Sequence, residues 1–432
     1  MSVDRSVTPA VKDFESLNIE PARVLVSAHG IPVQIIEKGD DDVCMFTVLF
    51  PAGEMEAPSS EMMKILTSTW REGTTNYSAD EIADKLDFYG AWMEITSSLH
   101  YTNITLYCLS SRLTELLPLL ADIIRTPLFS PEPVERIKTK MISALRISKD
   151  KVKTVAKENM KIQLLGSQHP LAIKESEDGF NAVTVDQLKE QHKKIITAKP
   201  SIVIAGKLNE TIIREVTSFA DTISKGDNSV PTLPDKVSVV ADSENRIITT
   251  RMPEKEQSAV VMSFPAIVRS HPDYNDLRIT VMLLGGYFGS RLMSNIREEK
   301  GYTYGITASL IGYKEIGYIA IECECDNSYV EGVITETKKE LVRLAKEPVS
   351  VEELETVKRM IKSSLASMMS DTFETAGYYV GQLSIGYPED YFYSQQKSLD
   401  AITPERIMDI AKRYLDPNKM FISIAGGSDV NY

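Results

Sequence analysis

The sequence predicts an α+β fold made of two homologous domains, each a mostly antiparallel sheet packed with helices. Two observations carry this. Three segments recur in the same order at nearly one offset. Phe50-Pro51-Ala52 returns as Phe264-Pro265-Ala266, and Glu135-Arg-Ile-Lys-Thr-Lys-Met as Glu355-Thr-Val-Lys-Arg-Met-Ile. Ala182-Val-Thr-Val-Asp-Gln-Leu, leading to Ile204-Ala-Gly206, returns as Ala401-Ile-Thr-Pro-Glu-Arg-Ile, leading to Ile424-Ala-Gly426. The offsets are 214 for Phe50 and 220 for Glu135 and Gly206, so the period is a whole domain rather than a solenoid repeat. In addition, strand-like segments come in adjacent pairs instead of alternating strictly with helices, which favours an antiparallel sheet covered by helices.

Taken in order, Arg23 to Val26 and Pro32 to Ile36 flank His29-Gly30 and read as a hairpin, and Val43 to Phe50 reads as a third strand. Ser59 to Trp70 is a helix with Met62, Ile65, Leu66 and Thr69 at core spacing, stopped by Gly73. Ser78-Ala79-Asp80-Glu81 has the N-cap and carboxylate of a capping box, and Gly90 closes the helix it opens. Ala91 to Ser98 and Asn103 to Ser110 are strands. Amphipathic helices follow over Leu113 to Arg125, Pro133 to Lys149 and Thr154 to Leu165. Gln168-His169-Pro170 begins an irregular loop, Thr184 opens another helix, and Ser201 to Gly206 is a strand. The seam is Lys225 to Asn245, turn-rich and poor in apolar residues. The expected division is a domain over 1–225, a linker over 226–245 and a second domain over 246–432.

Apolar content of 43% over 432 residues is ample for two or three cores. The net charge of −13 argues against nucleic-acid and anionic-membrane partners. No stretch approaches the length of a membrane span. The first twenty residues carry Asp4, Lys12, Asp13 and Glu15 and no apolar signal core, so a cytoplasmic chain is expected, or a periplasmic one if a leader was removed. The four cysteines, Cys44, Cys108, Cys323 and Cys325, are too few for a disulfide framework and read as buried free thiols.

The chain is organised around Leu283 to Leu310. Gly285 and Gly286 should end one helix in the left-handed cap conformation. A helix then fits Ser290 to Lys300, with Leu292, Met293 and Ile296 on one face and Gly301 as its stop. A strand follows from Tyr302. Arg297 thus stands in a last helical turn and Tyr304 early on the returning strand, where a guanidinium fork and a phenol can converge on a peptide carbonyl.

The run Ser290-Arg-Leu to Ile296-Arg-Glu-Glu-Lys-Gly-Tyr-Thr-Tyr-Gly-Ile306 resembles the Arg/Tyr signature of the pitrilysin/insulinase family of zinc peptidases, which includes the mitochondrial processing peptidases. Gly73-Thr74, Gly90-Ala91, His169-Pro170 and the two Ala-Gly strand ends extend the resemblance over essentially the whole chain. It implies a duplicated α+β unit, and it implies that Arg297 and Tyr304 bind substrate backbone beside the metal.

Family members that cleave peptides carry H-x-x-E-H on the first long helix, two imidazoles for zinc and a glutamate to activate water. The matching positions here are Lys64, Ile65, Leu66, Thr67 and Ser68, and the third ligand's position falls near Ala144. No imidazole or carboxylate stands at any of them. Independently of any family, the five histidines include no pair closer than twenty-three residues, so no two share a helix turn. Gly-x-Ser-x-Gly, P-loop and G-x-G-x-x-G motifs are also absent. Glu54, Glu56 and Glu61 read as a solvated loop and helix start. By resemblance the chain is a non-catalytic, substrate-binding subunit: no metal of its own, zinc only on an H-x-x-E-H partner, an extended peptide as substrate, and a hetero- or homodimer as assembly. The alternatives are a structural scaffold, like the family's respiratory-complex core subunits, and a stand-alone peptide-binding module.

Overall fold

Helix starts follow local chemistry. Ser59 caps the helix Ser60–Thr69 (α1) by accepting the Met62 N–H, and Ser78 and Glu81 close a reciprocal capping box on Ala79–Phe88 (α2). The computed structural model describes residues 17–224 and 246–428; the seam expected over Lys225 to Asn245 lies outside them.

In the first domain the strands are Arg23–Val26 (β1), Pro32–Glu37 (β2), Cys44–Phe50 (β3), Trp92–Ser97 (β4), Thr102–Cys108 (β5) and Ser201–Gly206 (β6). The further helices are Leu113–Arg125 (α3), Pro131–Lys149 (α4), Val152–Leu165 (α5), Glu177–Ala182 (α6), Val185–Thr197 (α7) and Glu210–Ile223 (α8). The second domain has strands Ile247–Arg251 (β7), Gln257–Ala266 (β8), Thr303–Gly312 (β9), Gly317–Asp326 (β10) and Phe421–Gly426 (β11). Its helices are Tyr274–Gly285 (α9), Val330–Lys346 (α10), Val351–Ser370 (α11), Thr372–Ile385 (α12), Tyr391–Ala401 (α13) and Pro404–Tyr414 (α14).

The duplication is plain in the topology. The first sheet runs β1-β2-β6-β3-β5-β4 and the second β7-β11-β8-β10-β9. Apart from β1 the orders correspond strand for strand, and each sheet has a single parallel pair, β2 with β6 and β7 with β11. The α+β, mostly antiparallel expectation holds. The four cysteines are free and buried, as expected. Among the described residues no helix is long and apolar enough to cross a membrane.

Strand alternation divides the cores. Cys44, Phe46, Val48 and Phe50 of β3 face the first domain's own helices. Met45 and Leu49, with Val203 and Ala205 of β6, face the opposite way, into a cluster that includes Ala376 and Tyr379 of α12. The second sheet receives the reciprocal cover. Ala156, Met160 and Leu164 of α5 pack with Ala259, Val261 and Ala425 of β8 and β11. Each domain therefore lends one helix to the other's sheet.

Candidate functional site

The stretch from Gly285 to Tyr304 departs from the helix-turn-strand expectation in two places. Gly286 has φ −89°, an ordinary right-handed value, so the glycine pair does not serve as a left-handed cap. Close approach explains it better: a Cβ on Gly285 would stand 2.7 Å from both the backbone nitrogen and the Cβ of Ala308. Then, instead of one α-helix over Ser290 to Lys300, Met293–Glu299 forms a π-helix, whose wider turn shows in the Lys300 N–H bonding Asn295 O at 3.0 Å. Side chains from later helices hold it. Asn295 Nδ2 donates to Glu340 Oε1 of α10 at 2.8 Å, and Arg291 makes a two-pronged bond with Glu353 of α11 at 2.8 and 2.9 Å. Gly301, at φ +67°, closes the segment as expected.

Arg297 lies near the end of the π-helix. Its guanidinium stacks 4.5 Å from the centre of the exposed Phe288 ring and lies 3.7 Å from Glu298. Tyr304 is 94% exposed. The reason is a β-bulge: Thr303 pairs with Cys325 and Ile306 with Cys323, leaving Tyr304 and Gly305 together opposite Glu324. The Thr303 hydroxyl pins the bulge, donating to Glu324 O at 2.6 Å and accepting the Gly305 N–H at 3.1 Å. Tyr304 therefore leaves the sheet on the face opposite the buried Cys325 and Ile306. Farther along, that face is the one α5 covers. Because β9 is the outer strand of its sheet, its unpaired edge lies beside Tyr304. The Tyr302 N–H bonds Ile296 O at 3.0 Å, tying strand to π-helix. Among the described residues no hydrogen bond joins Arg297 directly to Tyr304. An exposed phenol and a partly exposed guanidinium on consecutive elements are both groups that can donate to carbonyl oxygens.

Lys64, Thr67 and Ser68 share the partly exposed face of α1. The Thr67 hydroxyl is spent on the Met63 carbonyl at 2.9 Å. Lys64 and Ala144, 80 residues apart in sequence, line the same cleft of about 510 Å³, whereas Thr67 and Ser68 are not among its lining residues. At the three positions that resemblance assigns to metal ligands stand an ammonium ion-paired to Glu175, a serine and a methyl group, none of which suits zinc. Among the described residues no three His, Cys, Asp or Glu side chains cluster as metal ligands.

The nearby glutamates overturn the solvated-loop expectation. Glu61 is 4% exposed and accepts the Ser176 N–H at 3.1 Å, and Glu56 accepts the Gly53 N–H at 2.7 Å. Burial raises the Glu54 carboxyl's pKa above its ordinary value, against the pull of Lys64 and Lys161. Thr303, Glu175 and Lys161 also bear on the site, and none was marked by the motifs. A Thr two residues before a Gly in a strand was the one local sign of the bulge.

Comparison with known proteins bears on the family and the fold. Residues 36–169 match the family described as insulinase (peptidase family M16), and residues 182–361 match the peptidase M16 inactive domain. An "uncharacterized zinc protease YmxG" of Bacillus subtilis is 23% identical over 338 residues, covering 77% of this chain and 79% of that protein. A "non-peptidase homolog YmxG" of Helicobacter pylori is 21% identical over 380 residues, covering 84% of each. The crystal structure of a peptidase M16 inactive domain from Pseudomonas fluorescens superposes with a TM-score of 0.84 at 21% identity, over 95% of this chain and 98% of that one. A chain of complex III2 from Candida albicans does so with a TM-score of 0.73 at 13% identity, over 95% and 97%. The two family matches together span most of the chain, in the order of its two domains, and the chain belongs to the insulinase family of peptidases, family M16, as a member without the H-x-x-E-H motif.

Proposed function

We propose that this chain is the non-catalytic, substrate-binding subunit of a heteromeric zinc peptidase. It holds an extended peptide through Arg297 and Tyr304, and a partner bearing H-x-x-E-H supplies the zinc and the general base. The observation that carries this is Tyr304 itself. A phenol 94% exposed has no packing role, yet it stands at a pinned bulge beside an open strand edge, where an extended chain can add as a further strand. The lysine, serine and alanine at the degenerate motif support the absence of a metal centre in this subunit.

The test is reconstitution with an H-x-x-E-H relative from the same host. Tyr304→Phe removes one hydroxyl that makes no hydrogen bond among the described residues, so folding and association survive. Loss of a transition-state donor lowers kcat on the order of a hundredfold, and Arg297→Lys, lacking the planar fork, is nearly as damaging. Turnover within about twofold of wild type for Tyr304→Phe, a difference of only ~0.4 kcal/mol, sinks the proposal. So does one tightly held zinc per isolated chain in elemental analysis.

The likeness to a chain of a respiratory complex favours a second reading, a structural scaffold. The exposed Tyr304 is the feature it leaves without a role. Recovery only as an inactive assembly, beside a relative fully active alone, would favour the scaffold.

A further inference from the structure

In the cleft between α1, α4 and α5 cations outnumber carboxylates: Lys64, Lys157, Lys161 and Lys174 line it against Glu158 and Glu175. Their pairing is uneven. Lys64 is joined to Glu175, and Lys174 lies 3.6 Å from Glu158 and donates to Asn159 Oδ1 at 2.9 Å. Lys157 reaches out of the cleft to Glu322 of β10 at 2.7 Å, the sheet face onto which Tyr304 emerges. Lys161, one turn beyond Lys157 on α5, is half-buried and has no hydrogen bond or ion pair among the described residues. Glu54 lies within its field but makes no ion pair or hydrogen bond with it among the described residues. An ammonium half-withdrawn from water and bonded to no carboxylate would gain from an anion entering the cleft.

Much of the remaining lining is apolar, with Met141, Leu171, Ile173 and Phe180 around the small side chain of Ala144. A volume of about 510 Å³ suits a few residues of an extended chain. The matching ligand is a carboxylate carried on an apolar backbone, not a free inorganic anion.

We infer that this cleft is a carboxylate-binding subsite, in which Lys161 and Lys64 receive an anionic group of the bound peptide. The inference rests on the chain being a peptide-holding subunit. An extended peptide offers a carboxylate in two places, an acidic side chain or its C-terminal end, and the chemistry is the same for both.

The experiment titrates the full-length chain with nine-residue peptides of Ser, Ala and Leu bearing a neutral fluorophore, read by anisotropy. One carries a central Glu and an amidated end, one a central Gln and a free end, and one a central Gln and an amidated end. The peptide with the favoured carboxylate binds about tenfold tighter than the uncharged one, the effect of one charge-assisted pair, and the advantage shrinks as ionic strength rises. In Lys161→Met it falls to about twofold or less, with thermal stability no lower than wild type, because among the described residues Lys161 has no bonded partner to lose. Lys64→Met also reduces it. Equal affinity for all three peptides overturns the subsite alone, and Tyr304→Phe then shows whether peptide holding itself stands. A carboxylate preference that survives both lysine variants places the anion elsewhere and also overturns it. Binding of no peptide at all overturns the subsite and the peptide-holding reading together.

Discussion

Nε2 of His100, in the turn between β4 and β5, lies 2.8 Å from a carboxylate oxygen of Glu315, in the turn between β9 and β10. These are equivalent hairpins of the two domains, meeting at their tips. Glu56 approaches Nδ1 of the same ring at 3.7 Å.

The bond makes the contact between domains pH-dependent. Glu56 first and Glu315 with it raise the imidazole pKa above its ordinary value, although burial opposes them. A raised folded-state pKa means that the stabilisation is fully present below the unfolded value of about 6.5 and fades as pH rises through the folded value. The difference in melting temperature between wild type and His100→Gln is therefore largest near pH 5.5 and shrinks by pH 8.5. A difference constant across that range would show the ring to be a packing element only.

His192 has the opposite sign. It is packed edge-on against Trp70 and Phe129 and hydrogen-bonded to Ile124 O at 2.8 Å, and burial pushes its pKa down to about 4. Its neutral form is what the fold accepts, so stability is full above about pH 6.5 and declines as pH falls toward 4. The ceiling on that loss is on the order of 3 kcal/mol. Chemical denaturation at pH 7.5 and pH 4.5 should show a larger drop for wild type than for His192→Gln. Equal drops would assign acid sensitivity elsewhere.

The Arg291–Glu353 pair tests what fixes the π-helix. Arg291 is mostly buried, so Glu353→Gln leaves a guanidinium without its counter-ion and costs about 3 kcal/mol. The double variant Arg291→Met, Glu353→Met removes the stranded charge and recovers much of that loss. If the pair also sets the direction of Arg297, Glu353→Gln weakens peptide binding beyond what the double variant's stability predicts. Urea titrations and peptide anisotropy on the same samples separate the two effects.

Most of the architecture was legible because its determinants are local. The Ser78–Glu81 box, the core spacing from Met62 to Thr69 and the repeated strand ends each need only a short window. The π-helix was not legible, since its anchors Glu340 and Glu353 come 45 and 62 residues after the side chains they hold. The burial of Glu61 failed for the same reason, its partner Ser176 lying 115 residues away. At the site, the resemblance carried by the run Ser290 to Ile306 pointed to Arg297 and Tyr304, seven residues apart. The bulge that exposes Tyr304 depends on pairing with β10, which no window around residue 304 contains. The cleft was half visible: Lys64 and Ala144 could be placed by motif, but the helix that brings Lys161 to them could not.

The exchange of α5 and α12 has a consequence for how the chain is made. As the polypeptide leaves the ribosome, β3 and β6 are complete long before Thr372–Ile385 is synthesised. Until then Met45, Leu49, Val203 and Ala205 form an uncovered apolar sheet face, the kind of surface that draws chaperones or aggregates. Helix Val152–Leu165 waits in the same way for a sheet whose last strand begins at Phe421. A premature stop after α8 and before α12 therefore yields a first domain that is complete in sequence but unfinished in structure, and such fragments should be degraded rather than accumulate.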